Sequence, residues 1–135
     1  MARLSGGTYH WMDLLSAVRQ QESKSVRDLL QNGADIEQMD SDRETALLIA
    51  VNDVSNIAMA RLLLERGANV NAKGKEGFSA LHYAVAGNQP EMIALLLKHG
   101  ADVEAKTGRG MTPRALAKAL QKENDLAVLN SYDAR

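Results

Sequence analysis

Three short segments of the chain repeat one another: NGADIE at 32–37, RGANVN at 66–71 and HGADVE at 99–104. Each has glycine as its second residue, at positions 33, 67 and 100, so the spacing is 34 residues and then 33. A fixed period of roughly 20–50 residues is typical of proteins built from stacked structural repeats. Whether the chain is a stacked-repeat protein therefore depends on whether the same period extends through the rest of the sequence.

Apolar residues recur with the same period on both sides of these segments, in four sets of aligned positions that we call columns. They are Ala17, Ala50, Ala84 and Ala117; Leu29, Leu63, Leu96 and Leu129; Leu14, Leu47 and Leu81; and Val18, Val51 and Val85. Chance does not keep this many columns in phase over four units. We therefore predict a single repeat domain, with approximate boundaries taken from the columns. The predicted domain is 1–135 and its approximate repeats are 6–38, 39–72, 73–105 and 106–135.

Each unit contains signals for two short helices. A hydroxyl residue stands where its oxygen can cap each of three first helices: Thr45, Ser79 and Thr112. The predicted first helices are 46–52, 80–86 and 113–121, and the predicted second helices are 57–65 and 91–98. The repeated glycines then end the second helices, because glycine takes the left-handed conformation beyond a last helical turn at little cost.

The composition excludes several classes of protein. The 135 residues include no Cys, 45% are hydrophobic, 4% are aromatic, and the formal net charge is −1. A chain without cysteine forms no disulfide, thiolate metal site or cysteine nucleophile. The aliphatic content argues against disorder, and the near-zero charge gives no general attraction to nucleic acid or to a membrane surface. The first twenty residues show no signal-peptide pattern and no apolar run approaches the roughly 20 residues of a membrane span, so we expect a cytoplasmic protein.

Parts of the later units resemble the ankyrin repeat. GFSALHYAV at 77–85, LLLKHGADVEA at 95–105 and GMTP at 110–113 are similar to the family pattern Gly-x-Thr-Pro-Leu-His-x-Ala-Ala, followed by Leu-Leu-Leu-x-x-Gly-Ala-Asp-Val-Asn. The resemblance covers roughly residues 12–131. It implies an all-α solenoid of four stacked helix-turn-helix pairs joined by β-hairpin-like loops, with a concave face that usually binds protein.

The chain also departs from that pattern. Arg43 occupies a hairpin position where the family prefers glycine, and one extra residue lies in the turn 52–56 of the second unit. The resemblance therefore leaves the hairpin geometry at Arg43 open. The first unit lacks the Thr-Pro-Leu-His signature, and Arg114 and Lys118 replace apolar residues in the fourth. Atypical terminal units are expected of a stacked array, since their outer faces meet water.

The sequence carries little that could catalyse a reaction. The histidines, His10, His82 and His99, lack a metal-type spacing, and the resemblance gives His82 a structural hydrogen-bonding role. The turns at 73–75 and 108–110 do not fit the spacing of a phosphate loop. Carboxylates are expected at exposed positions, without an apolar pocket to shift their pKa. We expect no enzyme, no metal site and no cofactor.

The resemblance assigns partner binding to the hairpin tips and to the ends of the first helices. The tip residues are Met39, Ser41, Asp42 and Glu44; Lys73, Lys75, Glu76 and Phe78; and Lys106, Arg109 and Met111. The helix-end residues are Asn52, Asp53 and Ala86. Trp11, which follows Tyr9 and His10, either covers the first helix pair or contacts a partner at the entrance to the groove.

Two features of the tips each have two interpretations. Met39 and Phe78 are apolar where the repeat does not need an apolar residue, and Met111 stands just before the helix-capping Thr112. These three are either anchors for a partner or ordinary hydrophobic residues, and in the second case Phe78 and Met111 pack on a neighbouring hairpin. Residues 35–44 contain five acids and one base, whereas the later tips contain four bases and one acid. This predicts a groove with an acidic N-terminal end and a basic C-terminal end. Such a charge order either orients a partner or is a solvated surface with accidental grouping.

The sequence thus predicts a non-enzymatic module that binds another protein and is monomeric when unbound. It can occupy a partner's surface, as an inhibitor, a sequestering protein or an immunity-type protein that neutralises a toxin or effector enzyme, or it can bridge two proteins as an adaptor. Nucleic-acid binding through the basic tips is the alternative from another class, and the acidic first tip argues against it. A consensus scaffold without a partner is a third interpretation, and the irregular second unit argues against that.

Overall fold

The computed structural model describes residues 13–122 and 127–130. In this part of the chain the elements are α1 (Leu14–Arg19), α2 (Ser23–Gln31), α3 (Ala46–Asn52), α4 (Ile57–Glu65), the 3₁₀ turn Lys75–Gly77, α5 (Ala80–Ala86), α6 (Pro90–Lys98) and α7 (Pro113–Ala119). Residues 127–130 form a further helical turn. The predicted all-α fold is confirmed. None of the helices in these two stretches has the length and apolar character needed to cross a bilayer.

Local signals set the helix boundaries. The first helices are capped by side-chain oxygens that accept the backbone N–H three residues later, at 2.9–3.4 Å: those of Asp13, Thr45, Ser79 and Thr112. The bounds of α3, α4 and α5 are those predicted from the sequence. Helix α6 begins one residue earlier than predicted, because Pro90 suits the first helical position. Helix α7 ends two residues earlier, since Gln121 takes a φ of 58°.

A Schellman motif ends each second helix. The three repeated glycines have φ values of 96°, 94° and 92°. The backbone N–H of the following alanine donates at 2.9–3.0 Å to the carbonyl of a leucine in the last turn, and these leucines are Leu29, Leu63 and Leu96. Because this bond satisfies a carbonyl that the helix itself leaves free, the leucine column marks the ends of the second helices as well as the core.

The first helices stack on one another in the order α1, α3, α5 and α7, and α2, α4 and α6 each pack on the first helix of their own unit. The alanine column lies inside this stack and is fully buried: Ala17, Ala50, Ala84 and Ala117. Each alanine carbonyl accepts a backbone N–H from the turn that follows its helix, at 2.8–3.0 Å. A larger side chain in this column would push neighbouring helices apart, because interiors are close-packed.

The extra residue of the second unit lies in the turn between its two helices. Four residues, 53–56, separate α3 from α4, whereas three, 87–89, separate α5 from α6. The N–H of Asn56 still reaches the carbonyl of Ala50 at 3.0 Å. The turn therefore absorbs the insertion, and the stacking of the first helices continues through this unit.

The three loops between units close with the same backbone hydrogen bond. The N–H of the first residue donates to the carbonyl four residues later at 2.8–3.2 Å, and the donors are Asp40, Gly74 and Thr107. The fourth residue of each loop has positive φ, and these residues are Arg43 at 66°, Gly77 at 78° and Gly110 at 81°. Arg43 thus keeps the hairpin geometry that glycine gives the later loops.

Candidate protein-binding surface

A pocket of about 200 Å³ opens where the hairpin loops meet the ends of the first helices. Its lining residues come from three successive units: Arg19, Asp40, Asp42, Glu44, Asn52, Asp53, Lys75 and Tyr83. We call it the acidic pocket, because four carboxylates face two cations. The structure thus brings together five of the residues predicted from the sequence, which are Asp42, Glu44, Asn52, Asp53 and Lys75.

Glu44 is the buried carboxylate of the acidic pocket, with an exposed fraction of 7%. Its Oε2 accepts the O–H of Tyr83 at 2.8 Å and the backbone N–H of Lys75 at 3.2 Å. Its Oε1 is buried and accepts no hydrogen bond from the described residues. The expectation that carboxylates are all exposed is therefore wrong for Glu44. Gly74 leaves room for the buried carboxylate, since a Cβ at that position would collide with Oε2 unless the Glu44 side chain moved.

Arg19 links the end of α1 to this pocket. Its Nη2 donates to Oδ2 of Asp40 at 2.6 Å, and its Nε lies 3.8 Å from Oδ2 of Asp53. Oδ1 of Asp40 accepts the backbone N–H groups of Asp42 at 2.8 Å and Glu44 at 3.0 Å. Burial acts to raise the pKa of Asp40, but these hydrogen bonds and the Arg19 guanidinium together lower it. The charged Asp40 therefore holds the loop that carries Asp42 and Glu44.

Tyr83 brings α5 of the third unit to the pocket. Burial, followed by the hydrogen bond to the Glu44 carboxylate, raises the pKa of Tyr83. The phenol therefore stays neutral and remains a donor to Glu44. The Tyr83 ring centroid lies 5.4 Å from that of Phe78, which in turn lies 5.5 Å from the His82 ring.

His82 has the structural role that the resemblance implied. It is fully buried, its Nδ1 accepts the backbone N–H of Ser79 at 3.2 Å, and its Nε2 lies 2.8 Å from the carbonyl oxygen of Met111. A carbonyl can only accept, so Nε2 carries the proton. Burial lowers the pKa of His82. The neutral ring therefore joins the third unit to the loop that follows it.

The other predicted residues lie outside the acidic pocket. Met39 has an exposed fraction of 52%, whereas Phe78 and Met111 are half-buried against the core, which favours the packing interpretation for these two. Nζ of Lys73 donates to the carbonyl of Lys106 at 2.8 Å. The remaining ones are exposed: Ser41, Glu76, Ala86 and Arg109. Trp11, with Tyr9 and His10, lies outside the described residues.

The charges do not separate cleanly into two ends. Lys75, from the predicted basic end, lines the same pocket as the acids of the first loop, so the two kinds of charge meet there. In residues 13–122 and 127–130, no three His, Asp or Glu side chains stand close enough together to hold a metal ion. The pocket thus presents charged groups of both signs.

Three of the pocket residues were not predicted as site residues from the sequence. Asp40 contributes there only to the acidic stretch 35–44. Tyr83 fills the variable position of the family pattern between histidine and alanine, and that variability was a usable signal. Arg19 gives no signal in the sequence, because its contact with Asp40, 21 residues away, depends on how the units stack.

Comparison with known proteins identifies the family. A family model described as ankyrin repeats, in three copies, matches residues 14–107. The chain belongs to the ankyrin-repeat family. Ankyrin repeats are protein–protein interaction modules. The matched range contains the helix pairs α1–α2, α3–α4 and α5–α6, so a fourth repeat, which would begin near its end, stays a prediction.

Curated relatives carry the same repeats. The Notch-regulated ankyrin repeat-containing protein of Xenopus tropicalis is 32% identical over 81 residues, which cover 57% of this chain and 70% of the relative. The B-cell lymphoma 3 protein homolog of Mus musculus is 43% identical over 61 residues, 45% of this chain and 14% of the relative. An ankyrin repeat-containing protein of Treponema pallidum is 36% identical over 69 residues, 51% of this chain and 23% of the relative. The chain thus spans less than a quarter of the last two proteins.

Proposed function

We propose that this ankyrin chain binds a protein partner through the hairpin loops 39–44, 73–78 and 106–111 and the exposed ends of α1 and α3. Membership of the ankyrin family supports the kind of partner, and the acidic pocket supports the location. Stacked repeats place equivalent loops side by side, so one partner can contact several units at once.

The acidic pocket is the observation that carries this proposal. Its walls come from three successive units. Asp42, Asn52, Asp53 and Lys75 are exposed there, so their side chains are available to a partner. Charged groups arranged in this way favour electrostatic recognition, which sets orientation and encounter rate more than affinity.

Charge reversal tests the proposed surface. A partner is first captured from native cell extract, identified by mass spectrometry and purified, and its affinity is then measured by calorimetry. The double variant Asp42→Lys/Asp53→Lys should weaken binding about tenfold or more, because it places like charges where the partner has complementary ones. Lys73→Glu/Arg109→Glu tests the basic loops in the same way.

A matched control reverses charges on the second helices. Arg61 and Lys98 are exposed on α4 and α6. Arg61→Glu/Lys98→Glu should leave the affinity unchanged, and circular dichroism should show native helix content for all variants. Affinity that is unaffected by both hairpin variants, or that is lost equally in the control, would remove the proposed surface.

The same binding can serve an inhibitor or an adaptor. An inhibitor or sequestering protein, including an immunity-type protein, occupies its partner's working surface, whereas an adaptor leaves room for a second protein. Light scattering of the purified complex distinguishes the two by stoichiometry. The same measurement on the free chain tests the predicted monomeric state. Cell fractionation tests the predicted cytoplasmic location. Nucleic-acid binding is disfavoured, because the net charge is −1 and the pocket is acidic.

A further inference from the structure

One buried oxygen in the acidic pocket lacks a hydrogen-bond donor. Oε2 of Glu44 accepts both the Tyr83 O–H and the Lys75 N–H, while Oε1 exposes less than 1 Å² and accepts from no described residue. Leaving a buried carboxylate oxygen without a donor is unfavourable. A donor brought by another molecule would remove that cost, so the pocket favours a ligand that carries N–H groups.

The pocket also carries an excess of negative charge. Its carboxylates are Asp40, Asp42, Glu44 and Asp53, and its cations are Arg19 and Lys75. Its volume of about 200 Å³ is several times the roughly 30 Å³ that one water molecule takes up in the liquid. A single water therefore does not fill it, and there is room for the cationic head group of a side chain.

The acceptors favour an arginine over other cations. Across the part of the chain that the structure describes, no group of side chains suits a metal ion. A guanidinium presents five N–H donors in one plane and stacks on aromatic faces, whereas a lysine ammonium presents three and is more strongly hydrated. Several acceptors on different residues, with the ring of Tyr83 beside them, match the planar group better.

We propose that the acidic pocket binds an arginine side chain of the protein partner, whose N–H groups donate to Oε1 of Glu44 and to the exposed carboxylates of Asp42 and Asp53. This inference rests on the proposed function and adds the chemistry of the partner's contact. Because Oε1 is covered, a lining side chain moves as the arginine enters. Lys75 is exposed, long and positively charged and lines the same pocket, so its charge repels an incoming arginine.

A titration of the full ¹⁵N-labelled chain with blocked arginine tests this inference. The probe is Nα-acetyl-arginine amide, and the matched neutral probe is Nα-acetyl-citrulline amide, which has nearly the same shape without the charge. Arginine should give saturable shifts in the backbone amide signals of Asp42, Asp53, Lys75 and Tyr83, and added salt should weaken them. Citrulline should give none at the same concentrations.

Variants locate the contact within the pocket. Glu44→Gln should lower the affinity for blocked arginine about tenfold, since hydrogen bonds to a charged group are the stronger ones. Asp53→Asn, at an exposed position, keeps the pocket's shape and should lower it as well. Lys75→Ala should raise it at least about twofold, because it removes the repelling cation. Glu65→Gln, the same kind of change at an exposed position of α4, is the control and should have no effect.

Three results would overturn the inference: no saturable shift with arginine, equal shifts with citrulline, or unchanged affinity in Glu44→Gln. If the partner still loses affinity on charge reversal of the hairpins, the proposed function stands and only the arginine contact fails. If blocked arginine binds but the partner's affinity is the same for the hairpin variants, the pocket is a cation site and the proposed surface fails.

Discussion

Single residues set the backbone path at the hairpin tips. Arg43, Gly77 and Gly110 hold equivalent positions, with φ between 66° and 81°. Glycine adopts this region freely, whereas a residue with a Cβ finds it unfavourable by about 1–2 kcal/mol. The loop keeps Arg43 in this conformation because the carboxylate of Asp40 binds the N–H groups on either side of it, those of Asp42 and Glu44.

Arg43→Gly should therefore stabilise the fold by about 0.5–1 kcal/mol, since the strain removed exceeds the freedom that glycine adds to the unfolded chain. Urea unfolding followed by circular dichroism measures the change. Arg43→Ala is the control, because it removes the charge but keeps the Cβ, and it should not stabilise. A glycine variant no more stable than the alanine variant would contradict the strain argument.

Buried His82 should make stability depend on pH. Burial lowers the pKa of His82 in the folded chain, so the unfolded chain binds the proton more readily. The contribution of neutral His82 to the free energy of unfolding is complete above about pH 6.5, the ordinary pKa of histidine. This contribution is lost as the pH falls from about 6.5 towards the pKa of His82 in the folded chain. We expect the thermal midpoint to fall between about pH 7.5 and pH 5, and His82→Gln to reduce that fall.

His99→Gln is the control for this measurement, because it removes a histidine from the C-cap of α6 and leaves the His82 network intact. The lowered pKa values of Asp13 and Asp40 act in the same direction but below about pH 4, outside the measured range. If the control reduces the slope as much as His82→Gln does, the pH dependence belongs to another group.

At the scale of elements, neighbouring hairpins are joined through their backbones. The N–H of Gly108 donates to the carbonyl of Glu76 at 2.8 Å. A Cβ on Gly77 would lie 2.8 Å from that same Gly108 nitrogen, whereas a Cβ on Gly110 would meet nothing within 4 Å. The two glycines share a positive φ, but only Gly77 also allows the close approach of the next loop.

Gly77→Ala should therefore destabilise the fold by about 2–4 kcal/mol, since it adds an inter-loop clash to the cost of a positive φ. Gly110→Ala is the matched comparison and should cost only about 1–2 kcal/mol. Chemical unfolding of both variants gives the difference. Equal losses would show that the hairpins can separate without cost.

The same elements show what local sequence does and does not determine. The bounds of α3, α4 and α5 follow from caps, apolar spacing and terminating glycines, all within a few residues, and they were predicted correctly. The acidic pocket depends on contacts such as the one between Glu44 and Tyr83, which are 39 residues apart. That contact needs the stacking distance between two units, which no short segment encodes, so the exposure of Glu44 was predicted wrongly.

The molecule as a whole is a linear stack. Helices α3 and α5 each contact a first helix on both sides, whereas in residues 13–122 helix α7 has one on a single side. In such arrays stability is approximately a sum of unit and interface contributions. The free energy needed to open a helix locally should therefore decrease from the middle of the stack towards α7.

Native-state hydrogen exchange tests this gradient. The backbone amides of α3 and α5 should exchange slowest, and those of α7 at least about tenfold faster, because α7 can open while the central units stay folded. Leu81→Ala, in buried α5, should speed exchange in α3 and α7 as well, since both pack on that helix. Uniform exchange across all three helices would instead indicate a single cooperative unit.

The acidic pocket has walls on three units, with Arg19 on the first and Tyr83 on the third. Bending of the stack would change the separation of these walls, because they lie on different units. Optical tweezers that measure a partner's bound lifetime under load test this dependence: lifetimes should shorten as the ends are pulled, and a constant lifetime would contradict it. If a partner binds there as proposed, we expect mechanical tension on the chain to release it.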